Sequence, residues 1–219
     1  MAGLGSILWA ASGFEDYLKF NIEHFQAGEN HSYSLALNLY DDSLSNHLSQ
    51  TEYMHVYTNK RKQCVYTSDR VMIKEGNKLV SILTDEQSVV LQESAESFRS
   101  DYVEQLRMLL SAWETLEIES DVSGGSEVTF KITMPASSDY SAIKLSFNKR
   151  TNLLTKSTIW LRGEYAMGGK TYMAPRIEMN LSRLMKPQIA RLSIQDVLTS
   201  DLKLTEQYKN YAFYNTIKK

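Results

Sequence analysis

The sequence predicts a mainly β fold: a half-open antiparallel β-barrel of about ten or eleven strands, covered by an N-terminal helix and a mid-chain helix. Three observations predict it. Apolar residues two apart recur through Val71/Ile73, Val80/Ile82 and Val89/Leu91, split only by Glu75-Gly76-Asn77 and Thr84-Asp85-Glu86-Gln87. That period of two, cut by tight turns, is the signature of an antiparallel meander. The period changes to a helical one in only two places. No Pro-rich or Gly/Ser-rich linker interrupts the strands, so the 219 residues are read as one domain, 1–219.

In chain order, Ser12-Gly13-Phe14-Glu15 has the form of a capping box. Phe14, Tyr17, Leu18, Ile22 and Phe25 then follow at helical spacing, predicting a helix over 14–26, closed by Ala27-Gly28-Glu29-Asn30. The preceding stretch, 1–13, carries an apolar patch at Leu4, Ile7, Leu8 and Trp9 without a basic residue before it. It is read as the remnant of an export signal or as a segment packed on the fold. Tyr33, Leu35, Leu37 and Leu39 alternate in the next strand, and 51–58 and 63–66 continue the hairpins into the meander.

From Glu96 to Trp113 the apolar residues Phe98, Tyr102, Leu106, Leu109, Leu110 and Trp113 mark an amphipathic helix. Strands resume at 117–121, 127–134, 141–148, 153–162 and 172–184, where Val128/Phe130/Ile132, Ile143/Leu145/Phe147 and Ile177/Met179/Leu181 alternate. Residues 14–184 thus hold the half-barrel and its helices, and 185–219 form a C-terminal extension rich in tyrosine.

A formal net charge of −2 leaves no electrostatic footprint for nucleic acid. Lys60-Arg61-Lys62 is too short a basic run to change that. No stretch reaches the roughly 20 apolar residues of a membrane span. The single cysteine, Cys64, lies in a strand pattern with Val65 and Tyr66 and reads as a buried packing thiol. His24, His31, His47 and His55 show no metal-ligand spacing, so neither a metal site nor a cofactor is expected. No nucleophile elbow, phosphate loop or dinucleotide fingerprint is present. Asp41-Asp42 reads as a solvated loop, and Glu164 and Glu178, on neighbouring strands, are read as surface carboxylates rather than a glycosidase pair. No catalytic residue is assigned, and the chain is not expected to be an enzyme.

The order of elements resembles the LolA/LolB superfamily of bacterial lipoprotein carriers. The resemblance is carried by "YSLALNLYDD", "DRVMIKEGNKLVSILTDEQSVVL", "FRSDYVEQLRMLLSAW" and "IKLSFNKRTNLLTKSTIWL", between about Phe14 and Leu184. It implies an incomplete barrel whose concave side is plugged by helices, a periplasmic location in the bacterial envelope, and shelter for acyl chains without catalysis. Arg70 and Arg99 both compare with the arginine that gates the cavity in such carriers.

The expected ligand surface is therefore the concave face lined by Leu35, Leu37, Val71, Ile73, Val80, Ile82, Val89 and Leu91, with Leu106, Leu109 and Trp113 lying over it. The same residues could instead fill a solid core. Met167, at the tip of "EYAMGGKTYMAP", is the candidate contact to a membrane or partner. The partner expected is a lipid or lipoprotein acyl chain, with a further envelope protein possible. The alternative function is a structural or interaction subunit of an envelope complex with no ligand.

Overall fold

The computed structural model describes residues 4–26, 31–58, 62–94, 101–122, 125–167, 169–183 and 192–217. Three α-helices are present among them: α1 (Leu4–Gln26), α2 (Asp101–Ala112) and α3 (Ile194–Val197). The strands are β1 (His31–Tyr40), β2 (Leu48–Thr58), β3 (Lys62–Tyr66), β4 (Arg70–Glu75), β5 (Lys78–Leu83), β6 (Ser88–Glu93), β7 (Glu117–Asp121), β8 (Glu127–Thr133), β9 (Tyr140–Asn148), β10 (Leu154–Leu161), β11 (Glu164–Met167), β12 (Lys170–Met173), β13 (Arg176–Arg183) and β14 (Ala212–Asn215).

Twelve strands form one sheet in the order β14-β6-β5-β4-β3-β2-β1-β13-β10-β9-β8-β7, whose two end strands do not pair with each other; β11 and β12 make a separate hairpin. This is the open, mainly β architecture with helices that the alternation predicted, except that the strand expected over 172–184 is divided near Ala174, at a φ of 46°, between β12 of the hairpin and β13 of the main sheet, and with one addition. The C-terminal extension supplies β14, which pairs parallel to β6 through Ala212–Asn215 opposite Ser88–Leu91. A four-residue strand lacks enough alternation to be read from sequence.

Two further elements differ from expectation. Helix α1 begins at Leu4 rather than near Ser12, so the Ser12–Glu15 pattern lies inside it, and Glu15 pairs instead with Lys19 one turn on. The residues before Ser12 are mostly good helix formers and carry no proline, so nothing local stops the helix there. Helix α2 is described from Asp101, and Trp113–Thr115 continue it as a 3-10 turn; Phe98 and Arg99 lie outside the described residues.

The chain forms two compact units, each drawn from three stretches. The first takes Met1–Gln26, Ala36–Glu52 and Tyr102–Ser182. Its core packs Phe14, Leu18 and Ile22 of α1 and Val103, Leu106 and Leu109 of α2 onto Ile118, Val128, Phe130, Ile132, Ile143, Leu145, Phe147 and Leu154. The α1 residues are four apart, one helical stripe. The strand residues alternate, one sheet face. Phe14 tilts against Phe130 at 5.1 Å between ring centroids, and Tyr17 stacks on Phe147 at 4.9 Å. Fully buried Asn21 pins the helix to the β9–β10 turn: its Nδ2 donates to the Asn152 carbonyl at 2.8 Å and its Oδ1 accepts from the Leu154 N–H at 2.9 Å. That turn closes because Asn148 Oδ1 accepts the Arg150 and Thr151 N–H groups while Asn152 takes a positive φ of 56°.

The second unit takes Ala27–Leu35, Tyr53–Asp101 and Arg183–Lys219. Its core sets Ile194, Val197, Leu198 and Tyr208 of the C-terminal extension over Cys64, Ile73, Val80, Ile82, Val89 and Leu91. The extension braces itself: the Asp196 carboxylate accepts from both the N–H and the hydroxyl of Ser193, and the Thr205 N–H donates to the Val197 carbonyl. Those two donors hold the Asp196 carboxyl below the usual aspartate range. Side-chain burial, the β14–β6 ladder and two further main-chain bonds, Ala212 N–H to Gln87 and Thr216 N–H to Leu91, tie it to the sheet.

Candidate ligand-binding face

The residues expected to form one concave surface fall into three places. Ile73, Val80, Ile82, Val89 and Leu91 do share a face, with Val71 half-buried beside them, but α2 is not what covers it. The cover is the C-terminal extension, and the face is sealed: Ile73, Val80, Val89 and Leu91 are each 0% exposed. Leu106, Leu109 and half-buried Trp113 belong to the core of the first unit. Leu35 stands on the opposite side of the sheet from Val71. The neighbouring Ser34 hydroxyl meets His55 Nδ1 at 2.8 Å, and His55 pairs with Tyr66, which pairs with Val71. Alternation then turns Leu35 away. Leu37, in the first unit, is half-buried. The expectation of one convergent surface is therefore corrected. Apolar alternation fixes which residues share a face within one meander, but not which face of another strand they join.

The other face of the same meander is the more open one. One cross-strand row runs Val56, Val65, Met72, Ser81, Val90, and the next runs Thr58, Gln63, Lys74, Leu79, Gln92, each residue directly opposite its neighbour. Val56 and Val65 are buried, whereas Met72, Leu79, Ser81 and Val90 are only half-buried. Five strands at about 4.8 Å spacing make a strip roughly 19 Å across. Its polar members are unusual for an apolar strip. Gln63 is 9% exposed and Lys74 6%, and Gln63 Oε1 has no hydrogen-bond donor.

Sequence reasoning passed over this face because it followed only the stronger parity. A signal was present: Val71-Met72-Ile73, Leu79-Val80 and Val89-Val90-Leu91 are consecutive apolar residues, the pattern of strands covered on both faces. In the first unit, Ile159, Ile177 and Met179 form a comparable half-buried patch, with Ile159 directly opposite Ile177.

The remaining candidates resolve into local structure. Cys64 is fully buried with its thiol donating to the Leu192 carbonyl at 3.3 Å, and burial pushes the thiol up to about 11. Glu178 is held by Lys156 Nζ at 2.8 Å and Arg176 Nε at 3.4 Å, and accepts from the Tyr40 hydroxyl at 3.3 Å, while the Arg176 guanidinium lies 4.1 Å over the Tyr40 ring. That is a cross-strand ion cluster. Asp41 accepts from Ser49 and bonds His47 in an exposed loop, and those two partners hold its carboxyl below the ordinary range. Arg70 is exposed at the start of β4. Met167 ends β11, and its side chain lies outside the described residues. Among the described residues no three His, Cys, Asp or Glu side chains gather as metal ligands, and no helix is long and apolar enough to cross a membrane.

No family profile matches the chain, and no curated protein matches it. Among solved structures it is similar to the Mycobacterium tuberculosis lipoprotein LppX, with a TM-score of 0.46 and 13% identity over 81% of this chain and 98% of that one. It is also similar to a LolA superfamily protein from Nitrosomonas europaea, with a TM-score of 0.33 and 10% identity over 89% of this chain and 98% of that one. A putative outer membrane lipoprotein-sorting protein domain from Vibrio parahaemolyticus gives a TM-score of 0.29 and 10% identity over 82% and 96% of the two chains. At such identities and TM-scores the likeness carries no ligand or activity across to this chain.

Proposed function

We propose that this protein is a non-catalytic binding protein of the bacterial envelope that shelters an acyl chain, of a lipid or a lipoprotein, on the half-open face of β2–β6. One observation carries the reading. The meander is apolar on both faces; among the described residues one face is sealed by the C-terminal extension, and on the other Met72, Leu79 and Val90 are half-buried beside buried Val56 and Val65. Apolar burial is worth roughly 25 cal/mol per Å², and each methylene laid against such a face adds about 0.8 kcal/mol. A chain of about sixteen carbons, if fully buried, then contributes on the order of 12 kcal/mol, against an association cost of about 4–15 kcal/mol. The periplasm, an aqueous space beside membranes, is the compartment in which such shelter has a use.

Native mass spectrometry of the purified protein, followed by titration with a fluorescent fatty acid, tests the proposal. A co-purifying lipid, or a rise in probe quantum yield that saturates at one site, is expected. Absence of both would refute it. The solid core beneath the C-terminal extension favours a second reading, an interaction subunit of an envelope complex. That reading requires a protein partner to co-purify in place of any lipid.

A further inference from the structure

Strand β14 pairs with β6 in parallel register, with Tyr214 directly opposite Val90. Residues directly opposite each other share a sheet face, so Tyr214 is the sixth member of the row Val56, Val65, Met72, Ser81, Val90. Its neighbour Phe213 turns the other way and packs against the sealed core. The C-terminal extension therefore reaches both faces of the meander: it seals one and adds a strand to the other. Main-chain bonds fix β14 on either side of the tyrosine, from the Ala212 N–H to Gln87 and from the Thr216 N–H to Leu91. Tyr214 itself stands clear of the core, 56% exposed.

Exposure rises along the row in one direction. Val56 is 4% exposed and Val65 7%, Met72, Ser81 and Val90 are half-buried, and Tyr214 is the most open. The strip is thus closed at its β2–β3 end and open at its β14 end. From Met72 to Tyr214 it crosses three strand spacings, roughly 14 Å. An acyl chain laid on this row has one favourable direction. A polar head set against Val56 and Val65 would lose its water and gain no hydrogen bond from either side chain. A terminal methyl there loses nothing, and the head then emerges at β14.

Resting on the acyl-binding reading above, we propose that Tyr214 stands at the mouth of the site and sets the direction of the bound chain. Its ring covers the methylenes next to the head, and its hydroxyl donates to an oxygen of the head, a carboxylate or an ester carbonyl. The terminal methyl lies towards Val65. Tyrosine suits the position because its side chain has an apolar body and a polar tip, as that boundary requires.

Two spin-labelled stearic acids test this, one with the nitroxide beside the carboxyl and one with it beside the terminal methyl. The tryptophan of Tyr214→Trp reports which end is near, through the quenching in excess of that in wild type. Both acids are used at saturation, so that affinity does not enter. The carboxyl-side label is expected to cause the greater loss of that emission. In wild type itself the same label should broaden the Tyr214 ring resonances more than the methyl-side label does, so the direction can be read without a variant. Tyr214→Phe, which keeps the ring and removes the donor, should weaken stearic acid binding about threefold to tenfold at unchanged Tm, the worth of an ordinary hydrogen bond.

Equal quenching, or greater quenching by the methyl-side label, would overturn the direction and leave the acyl reading standing. Unchanged affinity in Tyr214→Phe would overturn the role of the hydroxyl. If neither acid binds the wild-type protein, the acyl reading falls and this inference with it.

Discussion

Ile82 and Leu79 lie three residues apart on one strand and point to opposite faces, so tryptophan at each position asks whether those faces are filled alike. Ile82 is 3% exposed, has Val71 and Val89 as cross-strand neighbours, and belongs to the core capped by the C-terminal extension. An indole in place of its sec-butyl group has nowhere to go without moving the buried neighbours of that core. Such overpacking costs typically 1–3 kcal/mol. In a chain of this length each kcal/mol lowers Tm by roughly 2–4 °C, so Ile82→Trp should melt about 2–12 °C below wild type. Leu79 is half-buried on the other face, so a larger ring there has an exposed edge along which to project. Its stability cost should be near that of a surface change, within about 0.5 kcal/mol, or roughly 2 °C. The same ring occupies room that an acyl chain would use. Displacing two methylenes, at about 0.8 kcal/mol each, weakens probe binding roughly tenfold or more. Scanning calorimetry and one fluorescence titration give all four values. Equal destabilisation by the two variants would mean that both faces are solid, and would refute the open-face argument even if a lipid were found elsewhere. No destabilisation by Ile82→Trp would mean that the extension does not pack where the structure places it.

Other expectations follow from single contacts. Leu198→Ala should lose about 2–5 kcal/mol, since Leu198 is 2% exposed in the same core, and should speed the reaction of Cys64 with Ellman's reagent. In the wild-type protein that thiol, pushed up to about 11 by burial, should stay unreactive at pH 8 until the protein is unfolded, as a thiol count with and without denaturant would show. Asn21→Ala strands the buried Leu154 N–H and leaves the Asn152 carbonyl without its side-chain donor; at about 1–3 kcal/mol for each unsatisfied group, urea unfolding should report a clear loss. Asp196 has its carboxyl held below the ordinary aspartate range, so its contribution is present above that range and disappears as pH falls through the depressed value. The acid limb of the melting curve should therefore be shallower in Asp196→Asn than in wild type below about pH 4.

The parts of the fold that were legible in the sequence are those in which local pattern and final environment agree. Val128-Thr129-Phe130-Lys131-Ile132 alternates because one side meets α1 and α2 while the other meets solvent, and Phe14, Leu18 and Ile22 form a stripe because only one side of α1 is covered. The C-terminal extension was illegible for the opposite reason. Its helix and its strand have four residues each, too few for any period, and they are fixed by where Ile194, Val197, Leu198 and Tyr208 land rather than by their own propensity. Sequence alone had no means to pair residues near 200 with strands near 80.

The misplaced ligand face has a more specific cause, and it bears on what the molecule does. Alternation is strongest where one face is dry and the other wet, so following the clearest parity through Ile73, Val80, Ile82 and Leu91 leads to the driest surface in the unit, which the chain has already filled with itself. A surface kept for a ligand has to be less perfect. It must be apolar enough to hold a chain and open enough to admit one, and it must carry the polar group that tells one ligand from another. Met72, Leu79 and Val90, interrupted by Lys74 and Gln63, have that mixed character. In a strand apolar on both sides, the weaker parity is therefore the place to look for binding.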